Sequence, residues 1–274
     1  MSTNVVKVTY PIVGARGTIV LPTWCLAGLA NLDVPEDIYA GDSIQKYPLG
    51  AKLIRDGKVY RYGKAGSTSS SVGFLHGNAN YDPGVTGHEN VNGFEGALYV
   101  EVVAGDTYID IADTTERAEN YYEDAELVLQ YDAGGFIHQY RVIASEKGTG
   151  AYVRCYIAPP GAKTACPISG TAVDAYMSKY SNLKGGSALN FDFFTAIGAI
   201  GCAVTSGKFY WYQTGGPITL TGTAGTTTGH RMVYPNTDGS VLDTEHVAGG
   251  QEVGYVTGGT ISGYGSLLVT LTMD

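Results

Sequence analysis

The stretch KFYWYQTGGP, Lys208 to Pro217, sets four consecutive aromatic residues between Gly207 and a Gly-Gly-Pro break. Aromatic side chains fit the pleated, half-buried surface of a strand, and Gly215-Gly216-Pro217 cannot continue a regular ladder. The ribbon is therefore expected to stop at Gln213, with a second run, Ile218 to Thr221, starting anew. Side chains alternate along a strand, so Phe209 and Trp211 face one way and Tyr210 and Tyr212 the other. Both faces want cover. A central strand buried within one chain meets that demand, and so does a strand half-covered by a second subunit, because Tyr and Trp suit sites that are apolar at one end and wet at the other.

Outward from the ribbon, the clearest local signal is YPLGAKLIRDGKVYRYGKAG, Tyr47 to Gly66. It places Ala51 to Arg55 and Lys58 to Tyr62 on either side of Asp56-Gly57, and Asp-Gly between alternating runs specifies a hairpin because a type I′ turn needs positive φ at both central residues. Ala97 to Val103 and Thr107 to Ile111 read as another hairpin through Ala104-Gly105-Asp106. Glu126 to Tyr131, Phe136 to Ala144 and Tyr152 to Ile157 form a three-stranded meander that contains His138 as a strand residue. Ile168 to Val173 is a further strand. Asp174 to Lys184 reads either as a brief helix or as an irregular crossing. After the Gly-Gly-Ser break at Lys184 to Ser187 come the ribbon, Ile218 to Thr221, His230 to Tyr234, Val241 to Glu245, Glu252 to Val256 and Ser266 to Thr272. Short runs punctuated by turn residues fit a small closed barrel.

Composition agrees with this. The 274 residues include 39 Gly and 21 Tyr with only 16% charged side chains, which favours many short strands over helices. The expected class is all-β, with an extended N-terminal arm over 1–45, a β-rich sandwich or barrel-like domain over 46–186 carrying a long loop at 67–93, and a C-terminal β-barrel over 187–274. The arm is apolar but broken by Pro11, Pro22 and Pro35, so it borrows its burial from elsewhere, either from a neighbouring subunit or from the chain's own core. A formal charge of -9 without a Lys/Arg cluster argues against nucleic acid as a partner. Cys25, Cys155, Cys166 and Cys202 show no metal or disulfide spacing and read as buried free thiols made in a reducing cytoplasm. The start of the chain lacks a signal-peptide pattern and no apolar run is long enough to span a bilayer, so a soluble protein without a membrane partner is expected.

Chemistry-bearing patterns are sparse. His76, Asp82, His88 and Glu89 share the polar stretch 67–93 without ligand spacing, and a partner-ordered loop explains them better than a metal. Glu116, Glu119, Glu123, Asp124 and Glu126 crowd TTERAENYYEDA, where Thr114 or Thr115 would cap a short helix with a solvated acidic face. A glycoside hydrolase needs two carboxylates flanking the scissile bond, which this crowding does not suggest. No nucleophile elbow, H-E-x-x-H or phosphate loop occurs. Nothing selects a triad from His230, Asp238, Asp243 and the serines, and His246 with His230 reads as a strand-end polar residue. No catalytic residue, metal or cofactor is expected.

At Tyr47 to Gly66, at YWYQTGGP (Tyr210 to Pro217) and at VGYV (Val253 to Val256), the chain resembles structural proteins of tailed-bacteriophage heads, the decoration or capsid-associated proteins. The order of parts, a proline-broken arm, a middle β region and a terminal barrel, is similar too. The resemblance implies a non-enzymatic virion protein on the outer capsid surface, synthesised in the host cytoplasm. Its partners would be the major capsid protein of the same virion and copies of itself, a trimer being favoured. The arm and the aromatic strand would make the contacts, which assigns interface roles to Tyr10, Pro11, Trp24, Tyr47, Tyr60, Tyr62, Phe209, Tyr210, Trp211 and Tyr212. The alternative is a receptor- or carbohydrate-binding module of a head or tail fibre, with Tyr108, Tyr121, Tyr122 and Tyr131 as sugar-stacking residues.

Overall fold

The computed structural model describes residues 12–14, 16–21, 34–67, 72–79, 92–185, 195–222, 232–236, 238–242, 251–258 and 265–273. It is essentially all-β, with a closed five-stranded barrel and a curled half-barrel sheet. Among the described residues no helix is long and apolar enough to cross a membrane. The chain divides into two units, one holding the described residues between Asn90 and Ser178 and the other those before and after.

In the discontinuous unit, β1 (Ile12–Gly14), β2 (Gly17–Val20), β3 (Lys52–Arg55), β4 (Lys58–Lys64) and β5 (Leu75–Asn78) precede the other unit in sequence. The compact unit between them and the rest contributes β6 (Phe94–Ala97), β7 (Tyr108–Ile111), β8 (Glu126–Tyr131), β9 (Phe136–Ser145), β10 (Val153–Ile157) and β11 (Thr171–Tyr176). The chain then returns with β12 (Leu183–Gly185), β13 (Ala196–Ala199), β14 (Phe209–Gly222), β15 (Met232–Pro235), β16 (Val241–Leu242), β17 (Gly254–Gly258) and β18 (Gly265–Thr272).

The ribbon does not stop at Gln213. It continues through Gly215-Gly216-Pro217 as the 14-residue β14, with a register shift between Gln213 and Gly215. Two features carry the strand across the break. The Gln213 side-chain amide donates from Nε2 to the carbonyls of Gly215, Gly216 and Pro217 at 3.0–3.1 Å, which satisfies acceptors that the irregular ladder leaves over. Gly216 has φ +84°, and a Cβ there would lie 2.9 Å from the Gly57 carbonyl oxygen, so only glycine fits.

This continuity makes β14 the axis of the unit. Its first half pairs with β4, as Trp211 opposite Tyr62 and Gln213 opposite Tyr60, and its second half pairs with β18 from Gly215 to Gly222. Beyond the shift, β14, β16, β15, β17 and β18 close a ring, with Leu220, Val233, Val241, Val253 and Val269 buried inside. The C-terminal barrel predicted from the short runs is therefore present.

The Asp56-Gly57 hairpin is present as well, with φ of 52° and 72° at the two turn residues. It belongs with the ribbon, not with the middle strands, so the units depart from the expected 46–186 and 187–274. The reason lies in the pairing of β4 with β14, which buries Tyr60 and Tyr62 beside Trp211 and Gln213. The described part of the leader is not an arm reaching away. It forms β1 and β2 on the chain's own sheet, with Ile12, Ile19, Leu53 and Tyr60 in one cross-strand row. Ile19 and Leu53 are fully buried in that row, while the adjacent row on the opposite face holds the exposed Val13 and Ile54.

The compact unit is a six-stranded sheet in the order β6-β11-β8-β9-β10-β7, curled until the residue after β6, Leu98, bridges Ile111 of β7. The meander is where the periodicity places it, and Leu127, Leu129, Val142 and Val153 point inward. The fourth strand starts later than the expected Ile168, because Gly170 turns at φ +82° and the Thr171 hydroxyl donates to the Pro167 carbonyl at 2.6 Å. Residues 114–125 contain no helix. Asn120 and Asp124 adopt left-handed φ of 59° and 65°, and Asp113, rather than Thr114 or Thr115, accepts the local backbone N–H, that of Thr115, at 2.9 Å.

Candidate functional site

Of the residues assigned to an interface, Tyr10, Pro11 and Trp24 lie outside the described residues. The other seven, Tyr47, Tyr60, Tyr62, Phe209, Tyr210, Trp211 and Tyr212, are each at most 8% exposed within the single chain. They therefore offer no interface to a second subunit, which corrects the expectation that the ribbon is half-covered by another subunit. On one face Tyr62 stacks on Phe209 at 5.9 Å, and Tyr47 packs edge-on against both Tyr62 and Trp211 at about 5 Å. The Tyr62 hydroxyl donates to Asp42 at 3.0 Å, and Asp42 exchanges both backbone hydrogen bonds with Phe209. Tyr47, Asp42 and their neighbours thus supply the cover that alternation demands. On the other face Tyr210 and Tyr212 join Leu183, Ile197 and Ile200.

The register shift has a second effect. Before it, Trp211 and Gln213 are covered; after it, Pro217 and Thr219 along the same strand are exposed. Where covered turns to open, a cleft of ≈ 460 Å³ runs over the sheet face. Its lining includes Tyr39, Lys58, Tyr60, Trp211, Gln213 and Thr219, with apolar rim residues Val72 and Leu268. Tyr39 is half exposed and the edge of its ring packs against Gly201, where a Cβ would come within 2.8 Å of Cε1. Tyr60 lies beside it, and its ionisation is pushed far up by burial and by Tyr39. The Trp211 indole Nε1 is buried with no hydrogen-bond partner. No carboxylate is among the described lining residues, so these supply no acid/base pair of the kind that glycoside hydrolysis needs.

The polar groups read from sequence are scattered. His76 is fully buried on β5, edge-on to Tyr212 at 5.1 Å, and neither ring nitrogen nor the Tyr212 hydroxyl has a partner. Burial pulls the His76 pKa down to about 3, so the ring is neutral near pH 7. Asp82, His88, Glu89, His230, Asp243 and His246 lie outside the described residues, and no metal-ligating cluster is present among those described. Asp238 accepts from its neighbour Ser240, a local turn contact. His138 is on β9 with Nε2 at 3.1 Å from the Thr164 hydroxyl. Cys155 and Cys166 are free and buried and Cys202 is partly buried; burial pushes the Cys155 thiol up to about 12. Cys25 lies outside the described residues.

The acidic segment is tied to arginines. Asp113 accepts from Arg117 Nε at 2.7 Å and from the Tyr122 hydroxyl, and Arg141 reaches both Asp124 and Glu126. Burial raises the Asp113 pKa, but the hydrogen bonds from Arg117, Tyr122 and Thr115 outweigh it and hold the carboxyl below its usual range. Of the tyrosines proposed for sugar stacking, Tyr122 is buried, Tyr121 carries the Arg117 guanidinium over its ring at 4.5 Å, and Tyr108 carries that of Arg154 at 4.1 Å. Tyr131 packs on Phe136. None of these four lines the β14 cleft, as the half-exposed Tyr39 does. Sequence reasoning passed over Tyr39 because an isolated Tyr in a proline-broken leader carries no pattern; its only signal was a distant glycine at position 201. No family model, curated protein or solved structure matches the chain.

Proposed function

We propose that this is a non-enzymatic structural protein of a tailed-phage virion, seated on the outer capsid surface. The support is the resemblance at Tyr47 to Gly66, Tyr210 to Pro217 and Val253 to Val256, together with a surface feature that carries the reading. Val13 and Ile54, 74% and 42% exposed, share one cross-strand row at the β1 end of the sheet, where described residues supply no further strand. A short edge bearing apolar side chains is suited to a partner surface. Contact energy that is small per copy adds up over a symmetric shell, because each bound copy makes the next contact effectively intramolecular. The contact residues are thus Val13 and Ile54, and not the buried ribbon. The test is cosedimentation of purified protein with expanded capsids. Binding that is lost in Val13→Asp and Ile54→Asp is expected, and no binding by the unaltered chain, with no copies in purified virions by mass spectrometry, overturns the proposal. A second reading, a glycan-binding virion module, is favoured by one observation, the half-exposed Tyr39 in the β14 cleft.

A further inference from the structure

We infer that the cleft at the register shift of β14 binds an acidic pyranose, a sugar ring bearing a carboxylate. This deepens the glycan-binding reading and rests on it; capsid attachment through the β1 edge is independent of it.

A ring is the shape the cleft asks for. Tyr39 is half exposed and the edge of its ring is seated against Gly201, so the platform is braced in place. The apolar C–H face of a pyranose stacks on such a ring, and the same side chain offers a hydroxyl at its tip. Around the platform stand hydroxyl and amide groups that suit a polyol: the exposed Thr219, with the more deeply set Tyr60 and Gln213. The three carbonyl acceptors that hold the Gln213 amide nitrogen also fix the side chain, so its position does not have to be ordered on binding. The cleft opens over a sheet face and not along an edge, so it has no free ladder to pair with an extended peptide. Its volume of ≈ 460 Å³ lies in the range of small-ligand sites.

The charge comes from one residue. Among the described residues, Lys58 is the only charged side chain lining the cleft, and it enters no ion pair. The nearby Arg55 and Asp56 are 3.6 Å apart and offset each other. In a chain of net charge -9, an ammonium beside a stacking platform, with no carboxylate among the described lining residues, selects a carboxylate-bearing ligand.

The chain has two tryptophans, Trp24 and Trp211, so in a Trp24→Phe background the indole emission reports on the cleft. The probes are methyl glucuronide and methyl glucoside, which differ only in the carboxylate, followed by fluorescence and, on the unaltered chain, by saturation-transfer NMR. The expected result is a saturable change with the glucuronide, weakened at least tenfold by Tyr39→Ala and by Gly201→Ala, the latter pushing the ring from its seat without removing any polar group. Lys58→Gln is expected to weaken the glucuronide to the level of the glucoside. No saturable response to either sugar by either method overturns the inference. A response that Tyr39→Ala and Lys58→Gln leave unchanged overturns this site while preserving glycan binding elsewhere, and equal affinity for both sugars overturns the acidic class. A glycan array probed with the unaltered chain separates failure of the site from failure of the glycan reading.

Discussion

In the unit built on β6 to β11, Asp110 and Asp113 are buried with an arginine each: Arg154 grips Asp110 with two hydrogen bonds of 2.8 Å, and Arg117 meets Asp113 at 2.7 Å. In the unit built around β14, His76, Trp211 and Tyr212 are buried with polar atoms that have no partner. The first arrangement spends charge on holding a curled sheet in one form, since a paired buried carboxylate ties separate strands together. The second leaves unspent hydrogen-bonding capacity inside the core, including the Trp211 indole N–H, whose side chain borders the cleft while the N–H itself stays buried. An unpaired buried polar group costs stability, so its retention points to a use other than folding. For His76 and Tyr212 that argument carries no ligand, only a pH dependence.

The contrast is easiest to break at Asp113. Asp113→Ala leaves the Arg117 guanidinium and the Tyr122 hydroxyl without their acceptor, and removing one member of a buried pair costs about 3–5 kcal/mol. Urea denaturation should show that loss; a change below about 1 kcal/mol means the network is ornamental to stability.

The two units should also separate by pH. The His76 pKa is depressed to about 3 in the folded chain against 6.5 when exposed, so the unfolded state binds the extra proton. Stability from this residue is complete above pH 6.5 and falls as the pH drops toward 3, about 2 kcal/mol being lost between pH 7 and pH 5. Asp113 is also shifted down, but from a reference of only 3.8, so its contribution persists above that value and disappears only as pH falls through its lower folded pKa. Hydrogen exchange between pH 7 and 5 should therefore loosen β5, β12 and β13 while β7 to β10 hold, and His76→Leu should remove the slope. Equal loosening of both units would erase the distinction.

A smaller effect sharpens the role of the register shift. Gln213→Ala withdraws one amide nitrogen shared among three carbonyls and should cost about 1–2 kcal/mol, with exchange accelerated at Gly215 and Gly216. Smallest of all, Ile54→Asp at the exposed row should change stability by no more than about 0.5 kcal/mol while abolishing capsid cosedimentation. A large loss of stability there would mean that the row is covered by the chain itself.

Much of the fold was legible from residues alone. Asp56-Gly57, the meander from Glu126 to Ile157 and the short runs after Phe209 each carry a local signature, either positive φ at a turn or a two-residue period, that needs no knowledge of distant residues. The site was not legible in the same way. The ribbon was read as an interface because four aromatics in sequence demand cover, and sequence does not say whose atoms provide it; Tyr47 and the Asp42 segment do. The supposed helix over 114–125 failed because two left-handed residues and the Asp113 hydrogen bonds form a turn-rich loop in its place.

The sequence by itself determined an all-β chain with its hairpin, its meander and a closing barrel, because alternation and turn chemistry act over a few residues. Only the tertiary structure decided that β14 runs unbroken through Gly-Gly-Pro, that the ribbon is covered from within, and that Tyr39 comes to lie on Gly201 beside Lys58 and Trp211. Those outcomes depend on a side chain satisfying carbonyls across an irregular ladder and on packing between residues more than a hundred positions apart, neither of which leaves a periodic trace in the chain.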